Sequence, residues 1–427
     1  MKKKYLATAS TLLLSASIGI ISGCGSNSTN ANGGTSGTEK ITVYSTISDQ
    51  KGKQAFQDIT KAFEKENPNI KVELNFPGQG YENILKVKMA ANDMPDVFDT
   101  HGWAKIRYGN FLADLHKEPW ASKLDDNMKP LLTDAKGKVY ALPLNEAKDG
   151  ITYNADILKK YNIQPPTTFA ELLTDAKKIK QESNGQVSPF FFSGIDQWTI
   201  GQFFDYMATP LLVSPKDNQK DALLNGTFDW SKWTYLPQKF QEMYKDGLIN
   251  KDALTAKYSD LPQLFAKDKV AFVFFSPTFL DQAKQINPKL HAGYMPVPAI
   301  APGDTPDFSG GERYTLGVWK DSKHEKAAIK LVDFFAQPEN LKKMAEATEL
   351  PPGIKGIQAN LGDMTKYYQK YANVPVFSYF DRVYLPNGMW DVMCTQGQEI
   401  LGNQITPQQF SDKMKQEYNR LRAQAKK

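Results

Sequence analysis

The chain has 427 residues, about three times an average domain, so more than one folded body is expected. Hydrophobic residues make up 41% and charged residues 23%, a globular balance that excludes a wholly disordered chain. The net charge of +5 falls to +2 once Lys2, Lys3 and Lys4 are set aside, which excludes general binding of polyanions or nucleic acid.

Lys2 to Lys4 form a positive start, and Leu6 to Ile21 form an apolar run broken by Ser10, Ser15, Ser17 and Gly19. Together they read as an export signal, too short and interrupted for a stable membrane span. Ile21-Ser22-Gly23-Cys24 resembles a bacterial lipobox, which implies cleavage after residue 23 and a lipid on the Cys24 sulfur. Only Cys24 and Cys394 occur, so a lipidated Cys24 leaves no intramolecular disulfide and makes Cys394 a small core residue. Residues 24–39 are rich in Ser, Asn, Gly and Thr and read as a flexible tether.

From Lys40 onward the pattern alternates between strand and helix. Lys40 to Ile47 and Ile70 to Phe76 alternate as strands, while Lys53 to Glu66 places Phe56, Ile59, Ala62 and Phe63 on one helical face. Tyr81 to Ala91 reads as helix and Asp96 to Asp99 as a short strand. Helices follow at Asp156 to Tyr161 and Phe169 to Ser183, the latter capped by Thr167 or Thr168 ahead of Glu171. Val187 to Phe192, Val270 to Phe275 and Tyr314 to Trp319 read as strands, and Pro237 to Asp246 and Lys323 to Ala336 as helices. This order predicts an α/β fold with a mainly parallel sheet, whose ligands lie beyond the carboxyl ends of the strands.

Several stretches then identify a family. Ala62-Phe63-Glu64-Lys65 with Asn67-Pro68, Pro95-Asp96-Val97, Gly137 to Pro143, Tyr153 to Leu158 and Pro165 to Leu172 are spread along the chain in a characteristic order, followed by Gly310-Gly311, Lys323 to Ala328 and Trp390. The chain resembles the extracellular solute-binding proteins of bacterial ABC sugar importers, in the maltose- and multiple-sugar-binding group. Phe98 to Trp103 and Gly311 to Tyr314 resemble the α-galactoside (raffinose, stachyose, melibiose) binders of Gram-positive bacteria. The resemblance implies a periplasmic-binding-protein-like fold of maltose-binding type, with two lobes joined by hinge crossover strands. It places one lobe at 40–145 and 293–345 and the other at 146–292 and 346–427. It further implies an oligosaccharide ligand, two permease subunits with a cytoplasmic ATPase, a lipid-anchored monomer on the outer face of the cytoplasmic membrane, and neither cofactor, metal nor catalysis.

Aromatic rings cover the C–H faces of a pyranose, while carboxylates, amides and cationic side chains pair its hydroxyls. On that chemistry Trp103, Trp198 and Trp390 are candidate platforms, each beside polar residues, whereas Trp230, Trp233 and Trp319 read as packing. The resemblance adds Asp49 and Gln50 after the first strand, the loop Asp99, His101 and Trp103, and Glu146, Lys148 and Asp149 at the presumed crossover. Phe275, Gly311, Glu312, Arg313 and Asp391 complete the candidate set. Bland readings stand beside these: Asp49 as a helix cap, His101 as a turn cap, Glu312-Arg313 as an internal ion pair, Phe275 as core. A maltodextrin is an alternative ligand, and an exported glycoside hydrolase an alternative class. No G-x-S-x-G, H-E-x-x-H or P-loop occurs, the four histidines are far apart, and Tyr367-Tyr368 reads as surface packing and not as an iron site.

Overall fold

The computed structural model describes residues 38–425; the export segment, Cys24 and the tether up to Gly37 lie outside them. Glu39, read as the end of the tether, already pairs with Ile70. The strands in chain order are Glu39–Tyr44 (β1), Ile70–Asn75 (β2), Val97–Phe98 (β3), Leu142–Pro143 (β4), Glu146–Asp149 (β5) and Ile151–Asn154 (β6). Ser188–Phe190 (β7), Val270–Val273 (β8), Ala292–Met295 (β9), Phe308–Glu312 (β10), Thr315–Val318 (β11) and Val376–Ser378 (β12) follow. Among the described residues no helix is long and apolar enough to cross a membrane.

The first sheet has the order β2-β1-β3-β11-β4. β1 runs parallel to β2 and β3, and β11 enters antiparallel between β3 and β4. The helix Gln50–Glu66 buries Phe56, Ile59 and Phe63 against this sheet, as its periodicity predicts, and Ala55 with them, whereas Ala62, expected on the same face, is exposed. The second sheet, β7-β8-β6-β9, pairs β7 parallel to β8 and sets β6 antiparallel to both neighbours. A separate apolar core belongs to each sheet: one draws on residues between Ile41 and Leu144 and between Tyr314 and Ile354, the other on residues between Ala147 and Val297 and between Tyr379 and Tyr418. β9 and Val297 lie with the second sheet, and Leu350 and Ile354 pack in the first core.

Between the sheets lies a three-stranded crossover, β12-β10-β5. β5 leads from β4 into β6, and β10 leads back into β11, so both crossings lie side by side in antiparallel register from Ser309↔Asp149 to Glu312↔Glu146. Gly310 and Gly311 make this close approach possible: a Cβ on Gly310 would stand 2.6 Å from the Ala147 carbonyl oxygen, and one on Gly311 2.9 Å from Leu131 and from the Tyr379 ring.

Some predicted strands are shorter than expected because other hydrogen bonds, side-chain or backbone, replace the ladder. The Phe192 N–H donates to Asn250 Oδ1 at 2.8 Å, which ends β7 at Phe190. Phe275 N–H folds back to the Val273 carbonyl at 2.8 Å, which ends β8 at Val273. Trp390 does not precede its helix but is the second residue of Met389–Leu401. Trp230 and Trp233 are buried, as is Cys394, and Tyr367 and Tyr368 are half-buried rather than on the surface, with Tyr367 O–H donating to Ala292 O at 3.0 Å.

Candidate functional site

The loops after β1 and β3 carry the first predicted site residues, and the fold itself claims several of them. Asp49 caps the helix Gln50–Glu66, its Oδ1 accepting from Gly52 N–H at 2.6 Å, while burial raises its carboxyl pKa. Gln50 is exposed on the first turn of that helix. Asp49 also lines a cavity of about 40 Å³ with Thr278, Asp281, Lys284, Glu349 and Tyr367.

Asp99 is fully buried. Its Oδ1 accepts from His101 N–H at 2.9 Å and from Thr315 N–H and Oγ1 at 3.1 and 2.9 Å, and its Oδ2 accepts from the Thr46 hydroxyl. These donors tie the ends of β1, β3 and β11 together, so the carboxylate expected on a sugar is instead occupied by the fold. His101, with φ of 48°, turns the loop and sets Nδ1 2.8 Å from Glu82 Oε1. Trp103 follows, only 4% exposed, donating Nε1–H to Asp381 Oδ2 at 3.2 Å.

On the side of the second core, three half-buried rings meet. The Trp198 centroid lies 4.7 Å from Tyr258 and 5.0 Å from Phe275, and the Tyr258 and Phe275 centroids are 5.8 Å apart. The Arg313 guanidinium sits 5.3 Å from the centre of the Phe275 ring, and Trp198 Nε1–H has no partner. Phe275 therefore belongs to a ring cluster at a strand end and not to the closed core.

The crossover carries the charge. Glu312 and Arg313 do not pair with each other, because successive side chains of an extended strand point to opposite faces. Arg313 lies 3.6 Å from Asp149 Oδ2, which also accepts from Tyr379 O–H at 2.5 Å, while Asp149 Oδ1 accepts nothing. Glu312 is buried with neither oxygen bonded; burial raises its pKa to about 7 against the pull of Arg382. Arg382 Nε stands 3.7 Å from Asp381 Oδ1, and the Asp381 N–H donates to Asp205 Oδ1 at 2.7 Å. Burial raises both Asp205 and Asp381.

The remaining candidates lie around this centre. Glu146 accepts from Asn127 Nδ2 at 2.7 Å, stands 3.6 Å from Lys148 Nζ, and is raised by burial. Trp390 packs partly buried against both cores. Asp391 is exposed and pairs at 3.1 Å with Lys86, which links the helix Met389–Leu401 to the helix Tyr81–Ala90.

Tyr258, Asp205, Tyr379, Asp381 and Arg382 were not read from sequence. A signal existed for the acids: Asp205 is a lone charge within the apolar run Trp198–Leu212, and Asp381-Arg382 interrupts Tyr379-Phe380 and Val383-Tyr384. Unmatched donors and acceptors near a half-buried ring cluster suit a neutral polyhydroxylated molecule, since each hydroxyl both donates and accepts. Among the described residues no cluster of three or more His, Cys, Asp or Glu is placed to hold a metal.

Residues 48–342 match the family model of bacterial extracellular solute-binding proteins. The chain is 46% identical over 426 residues to the melibiose/raffinose/stachyose-binding protein MelE of Bacillus subtilis (strain 168), covering 100% of this chain and 98% of that one. A sugar transporter of Bacillus licheniformis solved with stachyose is 51% identical with a TM-score of 0.82, over 90% of this chain and 100% of that one. A binding protein of Bacillus subtilis subsp. subtilis str. 168 in an open conformation is 48% identical with a TM-score of 0.82, over 91% and 99% of the two chains. The chain belongs to the bacterial extracellular solute-binding protein family and has its maltose-binding type of α/β fold.

Proposed function

We propose that this protein captures an α-galactoside such as melibiose, raffinose or stachyose between two lobes and delivers it, unchanged, to an ABC permease. The observation that carries the reading is the under-bonded charge of the crossover: Arg313, beside Asp149, lies against the Phe275 ring of the Trp198, Tyr258 and Phe275 cluster, and Glu312 is buried on the opposite face with neither oxygen bonded. Charge held away from water without partners is costly, and the hydroxyls of a bound sugar would supply the missing partners. The names of the MelE relative and of the stachyose complex support this sugar class.

The two cores and the paired crossover strands support two bodies hinged along β5 and β10. A ligand touching both bodies favours the closed arrangement by its differential contacts, which gives the permease a signal that sugar is aboard. The lipobox-like segment around Cys24 supports a lipid anchor on the outer face of the membrane.

A thermal-shift series with melibiose, raffinose, stachyose and maltose tests the reading. A ligand at 100 times its Kd stabilises the folded state by about 2.7 kcal/mol, so the α-galactosides should raise Tm by several degrees. Chromatography should return each sugar intact. No shift with any α-galactoside, or cleavage of raffinose, overturns the reading.

A further inference from the structure

We infer that Trp103 is a clasp that holds the two bodies together, a positioning residue for sugar retention rather than a platform on which the sugar stacks. The inference rests on the proposed sugar-binding function. A stacking platform must offer an open ring face, and Trp103 offers none. The Arg107 guanidinium covers the indole at 4.0 Å from its centre, and Arg382 lies 4.5 Å from the same ring. The indole N–H, the one polar atom of the side chain, is already donated to Asp381 at 3.2 Å.

These contacts join the two bodies. Trp103 and Arg107 belong to the loop after β3, whereas Asp381 and Arg382 belong to the segment packed on the second core. Arg107 is braced at 2.6 Å on Glu82 and reaches Asn387 at 3.1 Å. Asp381 is braced in turn on Asp205, in the helix that begins with Trp198 of the ring cluster. Gly102 allows the approach: its φ is +91°, and a Cβ there would stand 2.4 Å from the Arg382 guanidinium. The loop is therefore shaped to receive the cation of the opposite body.

Trp103→Phe keeps an aromatic ring beside both guanidinium groups and removes the N–H. In the full-length protein, affinity for melibiose, raffinose and stachyose should fall by one common factor, about tenfold for a hydrogen bond to a charged group. The loss should appear as faster release with unchanged association. The double variant W103F/D381A should bind no more weakly than D381A alone. Losses that differ severalfold between sugars, slower association, or additive effects of the two substitutions overturn the clasp. If the wild-type protein binds none of the three sugars, the proposed function is what fails. The clasp is then decided by small-angle scattering of the empty protein: W103F must give a larger radius of gyration than wild type, and equal radii overturn it.

Discussion

Glu312 is buried with neither carboxylate oxygen accepting a hydrogen bond, and its pKa of about 7 lies above the ordinary 4.5. The neutral form is thus the one the fold prefers. The stability this preference gives is fully present below about pH 4.5 and is lost as the pH rises through 7, about 3 kcal/mol in all. Urea unfolding at pH 5 and pH 8 should show a smaller drop for Glu312→Gln than for wild type. Asp307, raised to about 8, titrates in both proteins, so the difference between them isolates Glu312. Hydroxyls that donate to the Glu312 carboxylate favour its charged form, so sugar affinity should rise between pH 5.5 and 8 with a proton released. Calorimetry in two buffers of different ionisation heat measures that proton; a flat profile removes Glu312 from the sugar. The sequence drew attention to Glu312 and Arg313 but left their direction open. Strand alternation, visible only once β10 is placed, sends one towards Arg382 and the other towards Asp149.

Helices whose apolar face is a stripe were legible, and a helix buried nearly all round was not. The helix Phe169–Glu182 announces itself twice, by its stripe and by the reciprocal bonds of Thr168 and Glu171. Thr168→Ala removes one half of that box and should lower stability by about 1 kcal/mol in urea unfolding, with sugar affinity unchanged. The helix Trp198–Leu212 shows no stripe, because Thr199 to Pro210 are all buried, and only its first residue stood out in sequence. Asp99 shows the opposite failure: its position at a strand end was right, but nothing local reveals that Thr46 and Thr315, 53 and 216 residues away, consume its carboxylate. In the crossover, Gly310→Ala would press a methyl group against the Ala147 carbonyl and Val376. Such overpacking should cost about 1–3 kcal/mol, and a urea midpoint equal to wild type would show that β5 and β10 can part without penalty.

At the scale of the whole molecule, the family order of motifs made the two-body architecture legible, while the places where the bodies touch were not. Trp103 and Asp381 are 278 residues apart, and Lys86 and Asp391 are 305 apart, so no local pattern links them. The insertion of β11 between β3 and β4 has a consequence for how the chain is made. Until residue 318 has left the ribosome, the first sheet lacks the strand that joins β4 to β3, and the facing edges of β3 and β4 are unpaired. A nascent chain of some 170 residues beyond β4 therefore has to be made before the sheet of its opening third can be completed. Under the export expected from the sequence that delay is useful: the translocation channel receives a thread and not a finished knot.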